Sequence, residues 1–512
     1  MGVQSSVNRE SVRQRRWMAL LVVVAMVMAL IPLASGPVDA KKPPKDDTTT
    51  TTSTVPAPTT TTTTAPEPTT TTTPGSNEEF TQWEDASALQ GLPPGQHSGS
   101  MKWITDILTD ADVFWGNGYD GSGVDVALID TGVVPVDGLM WPGKVINGPD
   151  LSFESQAENL RHLDTFGHGT HLAGILVGRD NADSQFSGMA PGARLVNVKV
   201  ADAQGAVDVS QVIAAIDWVV QHRNDIGMNI RVITLAYGTD GVQPYQIDPL
   251  AHAVEMAWNA GVVVVAAVGN DGNAANLRNP AIDPFVLAVG AAENNTSQIS
   301  GVAEFSNCGT TERFVDIVAP GRSILSLRNP GSWADQHFPN AAVDGTYFLG
   351  SGTSQAAAVV AGGVALLLDQ RPGLTPNQVK ALLTSNAEYV QGADFTCQGA
   401  GSLDLGAVFK AKTPNANSVN QTFEASDGTG SLEAARGTNH VYEEGVALVG
   451  EMDIMSSPWT GYCDESRSCL ATLWDGGDFN GVTWSGLSWS GLSWSGDTWS
   501  GVSWDGQRPT FE

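Results

Sequence analysis

Basic residues are scarce in this sequence. Lys and Arg number 26 against 55 Asp and Glu in 512 residues, a formal net charge of −29. That balance excludes partners that need clustered cations, nucleic acid and anionic membrane surfaces among them, and suits solubility outside the cell. Cysteine is scarcer still, with only Cys308, Cys397, Cys463 and Cys469. In a chain that opens on an export signal, this even number favours two disulfides over metal or redox chemistry. Cys463 with Cys469 closes a short loop and leaves Cys308 with Cys397, although sequence alone allows three connectivities. No H-E-x-x-H zinc motif is present. A usable dinucleotide fingerprint is lacking too. "GNGYDG" (Gly116, Gly118, Gly121) has the G-x-G-x-x-G spacing but precedes an apolar strand instead of following one, and so reads as a turn.

Residues 1–40 carry a basic start (Arg9, Arg13, Arg15, Arg16), the apolar run "WMALLVVVAMVMALIPLA" and a small-residue exit at "PVDA". This is the layout of a secretory signal peptide cut after Ala40, with an uncleaved membrane anchor as the alternative. Residues 41–78 are nearly pure Thr and Pro, with almost nothing apolar to offset the entropy of ordering them. They are expected to be an exposed linker. A short segment, 79–102, separates the linker from the rest.

From 103 to 412 short valine-rich runs alternate with amphipathic segments. "VDVALID", "ARLVNVKV", "RVITLA", "GVVVVAAVG" and "FVLAVGAA" read as buried strands. "DVSQVIAAIDWVVQHR" puts Val212, Ile213, Ile216, Val219 and Val220 on one helical face, with Asp208 or Ser210 to cap its start. "DPLAHAVEMAWNAG" and "TPNQVKALL" each open on a capping residue followed by proline. The expected fold class is α/β: a doubly wound, mostly parallel sheet with helices on both faces, whose chemistry sits at the carboxyl ends of the strands.

Four residues stand where such a sheet would bring chemistry together. Asp130 ends the first strand in "ALIDTGV", and His168 lies between glycines at the start of a helix in "GHGTHLAGILVG". Asn270 sits in the loop after a buried strand in "VVAAVGNDG". Ser354 opens the small-residue helix "GSGTSQAAAVVAGGVALLL", where unpaired backbone N–H groups and the helix dipole favour developing negative charge. Together they supply a nucleophile, a base, an orienter and an oxyanion donor.

These motifs, in the chain order Asp, His, Ser and with "GMAPGARL" and "VAPG" beside them, resemble the signatures of the subtilisin-like serine peptidases over residues 103–412. The resemblance implies a serine endopeptidase acting on polypeptides, with Ser354 as nucleophile, His168 as general base and acid, Asp130 orienting the imidazole, and Asn270 in the oxyanion hole. It also implies that Leu235, Ala236, Tyr237 and Gly238, with Ala266, Ala267, Val268 and Gly269, line the substrate cleft. No cofactor is required for the chemistry. Calcium is common in the family, but no ligand cluster for it stands out here. The alternative from another class is a catalytically silent protein of the same fold that presents its tail.

Departures from the family pattern are Gln355 for Met, Ala358 for Pro and Ala236 for Ser. Gln355 and Ala358 do no chemistry, so activity is expected to survive them, whereas Ala236 leaves the preference of the first specificity pocket open. His171 is expected to be a structural histidine. Residues 79–102 are too few for an independently stable prodomain. Residues 413–473 alternate apolar and polar residues with glycine turns and suggest a small β-rich module. Residues 474–512 form a tail of seven aromatic-x-Gly units at five-residue spacing, in phase with Trp459. Neither helix nor strand gathers those aromatics on one face. The tail is expected either to be a flexible low-complexity accessory or to form an ordered repeat, a four-sided solenoid of one unit per side completed by the preceding module or by another copy of the tail, serving envelope or self-association.

Overall fold

The computed structural model describes residues 97–459 except 156, 180–185, 295–297, 444–445 and 456–457, with the backbone of four two-residue strands between 478 and 504. The stretches expected to be a signal peptide, a linker and a Cys463–Cys469 loop, with nearly all of the repeat tail, lie outside the described residues.

Seven strands form one parallel sheet: β1 Asp125–Asp130, β2 Val145–Asp150, β3 Arg194–Lys199, β4 Ile230–Leu235, β5 Val263–Ala267, β6 Leu287–Ala292 and β7 Ile317–Pro320, in the order β2-β3-β1-β4-β5-β6-β7. Every residue of β1, β5 and β6 is buried, as expected of parallel strands covered on both faces. The two strands that valine content does not reveal are the edges. β2 contains Pro149 and β7 ends on Pro320, and an edge is where a residue without an N–H is tolerated. An antiparallel unit follows, β8 Ile324–Leu327, β9 Ala342–Val343 and β10 Tyr347–Ser351.

The helices that position the site are α1 His168–Val177, α2 Val209–His222, α3 Pro249–Asn259, α4 Thr353–Gln370, α5 Pro376–Ser385 and α6 Leu432–Arg436. α1 packs along α4 and α2 along α3, while α4 also lies against β4 to β7. Their starts are written in the sequence. Asp208 and Gln211 form a reciprocal capping box on α2, Thr375 and Gln378 one on α5, and Asp248 accepts from the N–H groups of Leu250 and Ala251 at 2.8 and 3.1 Å. α4 runs unbroken through Ala358, and all but its last two residues are buried. Cys308 and Cys397 form a disulfide across 89 residues, as the cysteine count suggests. Gly118 and Gly121 adopt left-handed conformations in a turn ahead of β1, so "GNGYDG" is a turn.

The β-rich character expected after residue 412 is limited, among the described residues of 413–473, to Tyr442–Glu443 pairing with Val446–Ala447 and an antiparallel bridge between Met452 and Pro458. Helix α6 was not anticipated there. This stretch is fastened to the domain: Ser426 N donates to Glu255 at 2.8 Å, and the wholly buried Arg436 pairs with Asp208.

One core residue lowers stability. Asp217 on α2 is fully buried; its Oδ2 accepts from Gln221 at 2.9 Å and its Oδ1 has no hydrogen-bond partner among the described residues. Burial pushes its carboxyl up to about 8. With the folded value above the unfolded one, the native state holds a proton that the unfolded state releases, so stability falls as pH rises from about 4 to about 8. Asp217→Asn keeps an acceptor for Gln221. It is expected to gain on the order of 5 kcal/mol at pH 8 and almost nothing near pH 4, measured by denaturant unfolding at both.

Candidate active site

The four residues collect at the carboxyl edge of the sheet. Asp130 is the last residue of β1, and Asn270 lies three residues beyond β5. The start of α4 is pinned beyond β7, where Gly352 N donates to the Gly321 carbonyl at 2.8 Å. A Cβ on Gly321 would stand 2.8 Å from the Gly352 oxygen, so only glycine allows that approach.

His168 is fully buried, and its Nδ1 lies 2.8 Å from Asp130 Oδ1 and 3.0 Å from Oδ2. Oδ1 also accepts from Thr131 N at 2.8 Å, which fixes the carboxylate plane. The glycines around His168 are there for close approach. Gly167 is left-handed (φ 112°), and a Cβ on Gly169 would sit 2.1 Å from the Gly132 oxygen. Sequence reading missed the group that anchors this helix start. Asp164 accepts from Gly167 N (2.6 Å) and Thr170 N (2.8 Å), and from the Thr131 hydroxyl (2.8 Å). Its signal is faint, because Asp164 stands three residues ahead of the N-cap Gly167 and not in the capping position itself.

Ser354 stands in the first turn of α4, where the helix N–H groups are unpaired within the helix. Asn270 is joined to the residue before it, since Thr353 N donates to Asn270 Oδ1 at 2.8 Å and Gly269 N donates to Thr353 Oγ1 at 3.2 Å. With the amide oxygen committed to Thr353, the NH₂ is the end of the Asn270 side chain that can donate elsewhere. Gln355 is wholly buried, and neither of its amide atoms has a hydrogen-bond partner among the described residues. Such burial costs about 1–3 kcal/mol.

Of the expected cleft residues, Leu235, Ala266 and Val268 are fully buried and Ala236, Tyr237 and Ala267 nearly so, whereas Gly238 and Gly269 are partly exposed. The side chain between those two glycines was not anticipated. Cβ atoms on Gly238 and Gly269 would each stand 2.6 Å from Arg278, at its Cβ and Cγ respectively. Arg278 makes a bidentate pair with Asp271 at 2.8 and 2.6 Å. The phenol of Tyr237 is pushed well up by burial, with Asp208 adding to the shift.

His171 is buried, and its Nε2 lies 3.0 Å from the Phe348 carbonyl and 3.2 Å from that of Ile324. Burial pushes its imidazole down to about 3. It is neutral and ties α1 to the β8–β10 unit. Among the described residues no three His, Cys, Asp or Glu side chains converge to hold a metal ion.

A seven-stranded parallel sheet with a buried His168–Asp130 pair at its carboxyl edge fits a hydrolytic enzyme of the α/β class. Comparison with known proteins sharpens the class. The model of the subtilase family, peptidase S8, matches residues 121–425. The chain is 36% identical over 320 residues to serine protease AprX of Bacillus subtilis (strain 168), spanning 59% of this chain and 71% of that one. It is 33% identical over 304 residues to subtilisin DY of Bacillus licheniformis, spanning 59% and 96%. It is 34% identical over 284 residues to the thermophilic serine proteinase of Bacillus sp. (strain AK1), spanning 56% and 61%. The chain belongs to the subtilase family and is a serine-type endopeptidase.

Proposed function

We propose that the protein is exported and hydrolyses peptide bonds through an acyl-enzyme formed on Ser354. Ser354 Oγ attacks the scissile carbonyl carbon while His168 Nε2 takes its proton and then delivers it to the leaving amine. Water, deprotonated by the same imidazole, releases the acid and restores Ser354. Asp130 holds the proton on Nδ1, so that Nε2 carries the lone pair, and stabilises the imidazolium. The NH₂ of Asn270 and the N–H of Ser354 meet the oxyanion. The substrate backbone lies between 235–238 and 266–269 as an added strand.

The observation that carries this reading is the buried His168–Asp130 pair, with both carboxylate oxygens within hydrogen-bond distance of Nδ1. A silent scaffold has no use for an imidazole so oriented. Export is supported by the 1–40 signal pattern and by the Cys308–Cys397 disulfide, which belongs to an oxidising compartment. An uncleaved, membrane-anchoring signal is the second form of the same reading.

A fluorophosphonate probe is expected to label the wild-type protein stoichiometrically and to leave Ser354→Ala unlabelled. A wild type that does not label, while hydrolysing nothing, would return the chain to the silent alternative.

A further inference from the structure

The subtilase match ends at residue 425, yet the chain just beyond it is built into the body of the enzyme. The carbonyls of Ala434 and Ala435, on α6, accept from Val242 N (3.1 Å) and Thr239 Oγ1 (2.5 Å). Thr438 N donates to Asp240 Oδ1 at 2.7 Å, and the Thr438 hydroxyl bonds the other oxygen of that carboxylate. Asn439 Oδ1 accepts from Asp240 N at 3.1 Å. All these contacts fall on residues 239–242, the chain that leaves the substrate-lining stretch Leu235–Gly238.

The same residues are held from the other side. Thr239 and Asn279 exchange two backbone hydrogen bonds of 2.9 Å, and Arg278, beside Asn279, fills the space between Gly238 and Gly269. Segment 239–242 is therefore gripped between α6 and the 278–279 turn. The grip has an anchor. Arg436 is fully buried; it pairs with Asp208, the cap of α2, and donates to the carbonyls of Gly450 (2.7 Å) and Met452. A buried guanidinium is tolerated only when its N–H groups are all met, so it admits one register of the two segments.

We propose that residues 431–439 are a positioning element for catalysis. By fixing 239–242 they set the distance and tilt of Leu235–Gly238 against Gly269, and so the groove in which an extended polypeptide lies. This rests on the reading of 235–238 and 266–269 as the substrate cleft. A polypeptide bound by backbone hydrogen bonds along a strand edge senses small displacements of that edge. A small acylating reagent, which uses only Ser354 and its immediate neighbours, does not.

The test is the double variant Thr438→Val/Asn439→Ala, which removes two polar contacts near the surface and leaves the Arg436 anchor intact. With active sites counted by fluorophosphonate, KM for a tetrapeptide anilide is expected to rise about tenfold with kcat within about twofold of wild type, while kcat/KM for a single-residue ester is unchanged. Thr438→Ser, with Asn439 retained, is expected to match the wild type. Equal losses on both substrates would mean a merely structural role, and wild-type values on both would mean none; either overturns the proposal. Absence of fluorophosphonate labelling in the wild type would instead sink the peptidase mechanism, so the two failures are distinguishable.

Discussion

Asp130→Asn is expected to lower kcat about 10⁴-fold with little change in KM or in unfolding midpoint, the loss that this exchange brings in serine peptidases generally. The reason is the tautomer. Asp130 Oδ1 accepts from Thr131 N at 2.8 Å while both oxygens face His168 Nδ1. In the asparagine variant the remaining oxygen must stay with Thr131 N, since an NH₂ there would oppose a donor. The new NH₂ takes the Oδ2 position, 3.0 Å from Nδ1, where it opposes a proton on that nitrogen; only the retained oxygen, already shared with Thr131 N, can still accept from it, so the balance shifts toward the tautomer with the proton on Nε2. An Nε2 that carries a proton cannot take one from Ser354. Shape and burial are nearly conserved, so the fold is expected to survive, and fluorophosphonate labelling should slow in parallel with turnover. Turnover within about tenfold of wild type would remove Asp130 from the mechanism.

At Asn270 two substitutions separate two roles. Asn270→Ala removes both the acceptor for Thr353 N, now at 2.8 Å, and the NH₂ assigned to the oxyanion. Asn270→Asp keeps the acceptor and removes only the donor. Both are expected to lose about 10²–10³ in kcat, with KM nearly constant, because the donor matters only when the carbonyl oxygen gains charge; the size of the loss is that found in this family. The aspartate is expected to be no better than the alanine, since it also sets a negative charge against the developing oxyanion. Recovery of activity in Asn270→Asp would show that the residue serves only to hold Thr353.

Much of this molecule is legible from short stretches of its sequence. Asp130, His168, Asn270 and Ser354 each lie within a few residues of a strand or helix end that valine runs, glycines and caps announce, so their placement at one sheet edge follows from local pattern and the parallel-sheet rule. The central strands are readable because burial on both faces makes them continuously apolar. The edges are not: β2 is partly exposed and tolerates Gly148 and Pro149, while β7, though buried, is only four residues long and ends on Pro320. What stays hidden depends on long-range partners. Arg278 reads as one more surface arginine until the fold sets it between Gly238 and Gly269. Arg436 reads as an ordinary basic residue in an alternating stretch, and nothing local announces Asp208, 228 residues earlier. The alternation after residue 412 suggests strands, but the short helix there is held by tertiary contacts that no local periodicity encodes.

The separation of Arg436 from Asp208 also sets an order of events during synthesis. A chain made from its N-terminus presents the Asp208 carboxylate long before the guanidinium that pairs with it, and until then that end of α2 is without the cation it is buried against. Ser354 and its helix are already complete by then. On the proposed role of 431–439, the groove that receives substrate is therefore the last part of the body to be set. A nascent or truncated chain ending near residue 425 would carry the chemistry of a peptidase without a firm hold on its substrate.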